Sequence, residues 1–406
     1  LVSPPDELSY RSVLRLPDVG RLVTASTVSR LAEQTFALAI VLYTLERFHS
    51  PALAGVVAFI AMAPGLVLSP IAGAVLDRLG AARAITVDLL ASAVLVFALV
   101  VADRTDFSSS WLLIVVVGLY SLTSPLHLAG VRTLLPRLVP AHALPRVNAL
   151  DTSTFAVVDV LGPVLAGGLF ALTGSWVTLA LIGGLYVVAA VLLVPLALRA
   201  AEQRAERPHL LREAASGLGY LLRHPTLRAL AGSYSLYQVS WGVLVVAVPV
   251  TVQRELATAD AAEVGTGLLW ALVGVTAVVG ALFVGRLEST NRERGWIMAG
   301  TLGTAVAIFP IAGLGGLVWL AVGLALVGLL SGLVDVGTLT LRQRRTDPDQ
   351  LGRVLATSIS ANMSGLPLGS LIGGLVLAWS VPAAFAVGAA AAACSALVAL
   401  LISRSS

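Results

Sequence analysis

Charged side chains are scarce in this chain, and the few inside its apolar stretches are the first clue to its chemistry. Glu33 sits in "SRLAEQTFALAIVLY" (29–43), about 12 residues into an apolar run, which is roughly 18 Å along a helix. Arg30 precedes it by one helical turn, a spacing at which the two side chains can meet. Asp159 lies about ten residues into another run, and Asp335 about six residues from the end of a third. A carboxyl at membrane depth is costly as an anion, so it is a candidate to take up and release a proton. Each also has a second reading, as half of a buried ion pair such as Arg30 with Glu33 or Asp159. A different pattern occupies 234–241, where Tyr234, Tyr237, Gln238 and Trp241 recur at i, i+3, i+4 and i+7 on one helix face. Aromatic rings with few polar groups suit a bulky, amphipathic or cationic ligand, and they equally suit helix packing. His127 reads first as a packing histidine and second as a proton relay.

The elements that must hold these residues are membrane spans. The chain has 406 residues, 57% hydrophobic and 12% charged, with a mean hydropathy of +0.93. A soluble domain carries roughly twice that charge. Apolar runs long enough to cross a bilayer recur at 20–45, 51–76, 84–102, 110–131, 149–172, 176–198, 227–252, 263–285, 296–314, 317–341, 354–378 and 381–402. Each is expected to be a helix, because hydrocarbon offers backbone groups no water. The short alternating segments of a β-barrel do not occur. With no lysine present, the 26 basic residues are arginines, and 22 fall on the side that carries both termini. The positive-inside rule therefore predicts cytoplasmic termini, with "LVSPPDELSYRSVLRLPDVG" a polar cytosolic segment rather than a cleavable signal. The basic pI of about 9.6 then reflects an inner-leaflet excess and calls for no nucleic-acid partner.

The chain also repeats. Shifting it by about 207 residues sets "RVNAL" (146–150) on "RVLAT" (353–357) and "LAGGL" (165–169) near "LIGGL" (371–375). "GAVLDRL" (73–79) falls near "GALFVGRL" (280–287) under the same shift. Duplication of a six-span unit gives an N-terminal bundle over 1–198, a cytoplasmic connector over 199–226 and a C-terminal bundle over 227–406. Parallel repeats of this kind place a substrate route between the halves, near mid-membrane. The same shift puts Gln34 opposite Trp241 and Arg30 opposite Tyr237, so the first and seventh spans are expected to line the route. Asn362 joins them from the eleventh. A single cysteine, Cys394, rules out a disulfide framework, and no Walker loop, nucleophile elbow or zinc spacing occurs. No cofactor, metal or catalytic residue is expected.

"GAVLDRLGAAR" (73–83) stands at the turn between the second and third spans. It resembles the major facilitator superfamily signature, Gly-x-x-x-Asp-Arg/Lys-x-Gly-x-Arg/Lys-Arg/Lys, supplying Gly73, Asp77, Arg78 and Gly80. Ala81 and Ala82 precede the next basic residue, Arg83, so its basic cluster is thinner. The resemblance implies a conformational gate at these residues. "VDVLGPVLAGGLF" (158–170) is similar to the Gly-Pro-x-x-Gly-Gly element of the family's exporters through Gly162, Pro163 and Gly167, with Ala166 replacing a glycine. A helix-packing role serves these residues equally well. "RTLLPRLVPAHALPRVNAL" (132–150) and "GRVLATSISANMSGLPLGSLIGGL" (352–375) resemble the branch with macrolide and siderophore exporters. The fourth-span arginine of many drug antiporters is missing from "LLIVVVGLYSLTS" (112–124).

The expectation is an all-α membrane protein of twelve transmembrane helices in two pseudo-symmetric six-helix bundles, the major facilitator fold. It is expected to act as a monomer in a bacterial inner membrane. Its expected activity is proton-coupled efflux of a small amphipathic drug or natural product, with export of a siderophore or lipid-linked molecule as the alternative.

Overall fold

A computed structural model describes residues 14–16, 18–67, 75–76, 79–105, 107–139, 144–199, 219–284, 292–314, 316–346, 358 and 361–403. The main helices of these residues are α1 (Val19–Phe48), α2 (Pro51–Ile60), α3 (Ala81–Arg104), α4 (Ser110–Leu138), α5 (Leu144–Thr173) and α6 (Ser175–Arg199). The second half supplies α7 (Pro225–Glu255), α8 (Ala259–Val284), α9 (Glu293–Leu314), α10 (Leu317–Arg345), α11 (Gly365–Leu377) and α12 (Val381–Ala399). One helix falls in each predicted span. Among the described residues, six of them (α3, α6, α7, α8, α10 and α12) are long and apolar enough to cross a membrane. Shorter apolar stretches occur in α2, α4, α5 and α11. Arg30, Glu33 and Gln34 lie in the middle of α1 and lower its hydropathy.

The starts of these helices have local causes. Ser50, Ser109 and Ser380 each accept a backbone N–H three residues on, and a proline follows Ser50 and Ser380 within the first turn. Gly80 begins α3 at φ +81°, a left-handed conformation that favours glycine.

Packing repeats between the halves. The α1 helix lies on α5 and α6 as α7 lies on α11 and α12, while α3 covers α6 as α9 covers α12. Many large apolar side chains point outward, such as Val87, Leu90, Val94 and Val101 of α3, whereas Asp88 and Ser92 of the same helix are buried. A soluble helix has the reverse arrangement, and this one suits lipid outside and polar groups within. At the end of the bundles that carries the termini, called proximal below, Arg199 pairs with Asp18 at 3.0 Å and Arg344 pairs with Glu293.

Among the described residues the two most extensive contacts between the bundles are α2 with α11 and α5 with α8, both in the halves of the helices away from the termini (the distal halves). A Cβ at Gly55 would stand 2.7 Å from Gly374 Cα, and one at Gly267 would stand 2.9 Å from the Pro163 carbonyl oxygen. Only glycine lets two helix backbones come this close. The crossings are equivalent under the repeat, so the distal closure is itself two-fold.

Candidate functional site

The predicted site residues separate into two places. Glu33 of α1 points into the N-terminal bundle. There it lines a small cavity, about the size of one water, together with Ser29, Asp88, Ser92, Tyr120, Ser124, His127 and Tyr186. The Ser124 hydroxyl donates to Glu33 Oε1 at 3.1 Å, and Ser29 Oγ lies 2.9 Å from His127 Nε2. The Tyr120 and Tyr186 hydroxyls bond to each other, and the Tyr120 ring packs on Phe36 with centroids 4.5 Å apart. Asp88 is 2% exposed, and its Oδ1 has no hydrogen-bond partner among the described residues.

Arg30, one turn from Glu33, is turned toward α5. It forms an ion pair with Asp151 at 2.8 Å, donates to Thr154 Oγ1 at 3.2 Å, and places its guanidinium 3.7 Å from the Phe155 ring centroid. Asp151 is thus a partner for Arg30 that the sequence spacing, which pointed to Glu33 or Asp159, did not indicate. Buried charge needs such charge-assisted bonding to persist.

Gln34, the next residue after Glu33, faces the other way and donates its amide to Asp159 Oδ1 of α5. Asp159 is exposed, yet lies opposite Val157 and Leu161, the outward-facing apolar residues of its helix. It therefore opens onto the interior of the protein. In the other half, the Tyr234 hydroxyl donates to Asp335 Oδ1 at 2.7 Å, and Asp335 is also exposed. Each bundle thus presents one carboxylate, held by one neutral donor.

The aromatic stripe of α7 is longer than its sequence spacing suggests. Tyr234, Tyr237 and Trp241 follow at 5.9 and 6.3 Å between centroids, and Trp241 stacks on Trp270 of α8 at 6.3 Å. Tyr237 and Gln238 are buried, Gln238 against Met363 just before α11, while Tyr234 and Trp241 are only half-buried. Asn362 is buried and, with its amide oriented to donate to the Ser358 carbonyl oxygen at 3.1 Å, accepts from Arg342.

Gly162 packs on the Gln34 side chain, and Gly167 on the Glu263 backbone of α8, so the Gly162–Pro163–Gly167 element serves both the α1 and α8 crossings. Arg83 donates from Nε to the Ala197 carbonyl oxygen at 3.3 Å, tying α3 to the end of α6. Gly73, Asp77 and Arg78 lie outside the described residues, as does most of the connector over 199–226.

Sequence reasoning missed Asp88, Asp151, Trp270 and Arg342. Asp88 had a readable signal, since it is the one ionisable residue between Arg83 and Asp103.

The sequence profile of the Major Facilitator Superfamily matches residues 22–238 and 230–406. The chain belongs to this superfamily. It is therefore a multi-pass membrane transporter and not an enzyme. An uncharacterized MFS-type transporter of Sinorhizobium fredii, y4rN, is 45% identical over 396 residues, covering 98% of this chain and 97% of that one. The enterobactin exporter EntS of Citrobacter koseri is 30% identical over 255 residues, or 61% of this chain and 59% of the exporter. The crystal structure of the nucleoside transporter NupG matches with a TM-score of 0.78, covering 96% of this chain and all of that one at 11% identity. That likeness confirms the major facilitator fold.

Proposed function

We propose that this transporter exports a small amphipathic compound bearing positive charge from the cytoplasm, in exchange for protons, by alternating access. The observation that carries the reading is the pair of interior carboxylates, Asp159 with Gln34 and Asp335 with Tyr234, set beside the aromatic stripe from Tyr234 to Trp270. Two anionic ends and an aromatic wall match the chemistry of a lipophilic aromatic cation. Arg30, Gln34, Tyr234, Tyr237, Gln238, Trp241 and Asn362 form or back this cavity, and Glu33, Asp159 and Asp335 are its proton-coupling candidates. With the distal crossings closed, the structure is read as facing the cytoplasm. Gly73, Asp77, Arg78, Gly80 and Arg83 then form the gate that closes the proximal side in the opposite state. The Gly162–Pro163–Gly167 element supports the outward direction of transport. Under this reading the chain works as a monomer in a bacterial inner membrane with both termini cytoplasmic.

A second reading, export of a siderophore-like molecule, is favoured by the similarity to EntS. One experiment addresses both. Inside-out vesicles carrying the protein should accumulate tetraphenylphosphonium when a pH gradient, acid inside, is imposed, and collapse of the gradient should stop uptake. Accumulation of enterobactin in place of tetraphenylphosphonium would select the second reading. Accumulation of tetraphenylphosphonium that ignores the pH gradient would refute proton coupling.

A further inference from the structure

The cavity inside the N-terminal bundle is set apart from the ligand route, because its described lining residues come from α1, α3, α4 and α6, with none from α5 or the C-terminal half. We propose that it is a proton site shared by Glu33 and Asp88, in which the two carboxyls hold one proton between them. This rests on the proton-coupled reading above and moves its coupling step out of the ligand cavity.

Four observations support the assignment. Glu33 and Asp88 line one water-sized space, which is the bridge that a shared proton needs when two carboxyls do not touch. Two like charges around so small a buried space repel each other, which favours the pair holding one proton. Asp88, 2% exposed, has an oxygen with no hydrogen-bond partner among the described residues, as does the Nδ1 of His127, 5% exposed. Finally, among the described residues no arginine lines the cavity, and Arg30, which acts on Glu33 from outside it, is paired with Asp151.

The groups facing the site are known from each packed helix. The α1 helix supplies Ser29 and Glu33, with Arg30 a turn away and engaged with Asp151. From α3 come Asp88 and Ser92, from α4 Tyr120, Thr123, Ser124 and His127, and from α6 Tyr186. On α5, Asp159 is a further carboxyl that acts electrostatically on Glu33. His127 and Ser29 lie on the proximal side of Glu33 along their helices and provide hydrogen-bonding steps toward it. On loading, a hydronium gives up its proton to one carboxylate and leaves as water, so the pair passes from two negative charges to one. On release the step reverses.

The test uses the purified full chain in lipid nanodiscs and needs no substrate. Infrared difference spectroscopy across pH steps reads protonated carboxyls through their C=O stretch. The parent should show one such band at neutral pH, removed by Glu33→Gln and equally by Asp88→Asn, with the double variant losing no more than either single one. Asp88→Glu should restore a band, Asp159→Asn should leave it in place, and unchanged melting temperatures would show that all variants fold. Loss with Glu33→Gln but not with Asp88→Asn would overturn sharing, as would two bands lost additively. A band displaced by sodium at constant pH would overturn the proton as occupant. A shared band in a protein whose tetraphenylphosphonium uptake ignores the pH gradient would keep the site and refute the coupled-export reading.

Discussion

The two six-helix bundles share a fold and a packing plan but differ in what they bury. Under the shift of about 207 residues, Glu33, Tyr120 and His127 of the N-terminal bundle fall on Ser240, Val327 and Val334. Between Arg294 and Leu314, α9 carries no ionisable residue, whereas its counterpart α3 carries Asp88. The C-terminal bundle instead places Tyr237 and Trp241 where the first half has Arg30 and Gln34. Duplication gave two copies of one scaffold, and under the reading proposed above the first buries the Glu33–Asp88 pair while the second carries the longer aromatic stripe.

The largest effect that could break this division is on coupling. Glu33→Gln should abolish gradient-driven tetraphenylphosphonium uptake, because the amide keeps the volume but cannot cycle a proton. Tryptophan-fluorescence titration should still give parental affinity. Parental uptake rates in this variant would put the proton in the cavity with Asp159 or Asp335.

The distal crossings come next. Gly167→Leu places a side chain against the Glu263 backbone, and overpacking of this kind costs about 1–3 kcal/mol. The cost falls on the distally closed state, so cysteine labelling of the distal cavity should rise several-fold. Gly374→Leu should do the same, since its crossing is the repeat equivalent. A marked difference between the two would show that the closure is not two-fold.

Trp241→Ala tests the other half. Loss of an indole against an aromatic ligand costs on the order of 1–2 kcal/mol, so tetraphenylphosphonium affinity should fall roughly tenfold. The carboxyl band should be untouched. Poor folding with unaltered affinity would assign the ring to packing on Trp270. The smallest effect is expected for Tyr234→Phe, which deletes the donor to Asp335 at 2.7 Å. In an exposed setting this hydrogen bond is worth about 1 kcal/mol, roughly a fivefold loss of affinity by the same titration.

The spans were legible because hydrocarbon imposes length and apolarity on each helix separately, and the repeat was legible because it is a property of the chain alone. Contacts between helices are not encoded in that way. Arg30 and Glu33 stand one turn apart, which suggested a mutual pair, yet Arg30 is turned onto Asp151 and Phe155 by the packing of α5 on α1. Asp88 could be seen as a lone carboxyl, but its meeting with Glu33 depends on which helices enclose the same space. Trp270 lies 29 residues from Trp241, so no single-helix periodicity could join it to the stripe.

Glu33 and Gln34 are consecutive residues that serve different surroundings, one the cavity of the N-terminal bundle and the other Asp159 of α5. Neighbouring positions on a helix are about 100° apart, which makes α1 a crankshaft with two throws. A modest roll of this helix about its own axis displaces both side chains together. Neutralising the Glu33 side would then loosen the grip of Gln34 on α5. Gly162 seats α5 against Gln34 itself, and one and a half turns later Gly167 seats the same helix against α8. Torque applied at the first throw is thereby delivered to the joint between the bundles, over a distance of about 8 Å along α5.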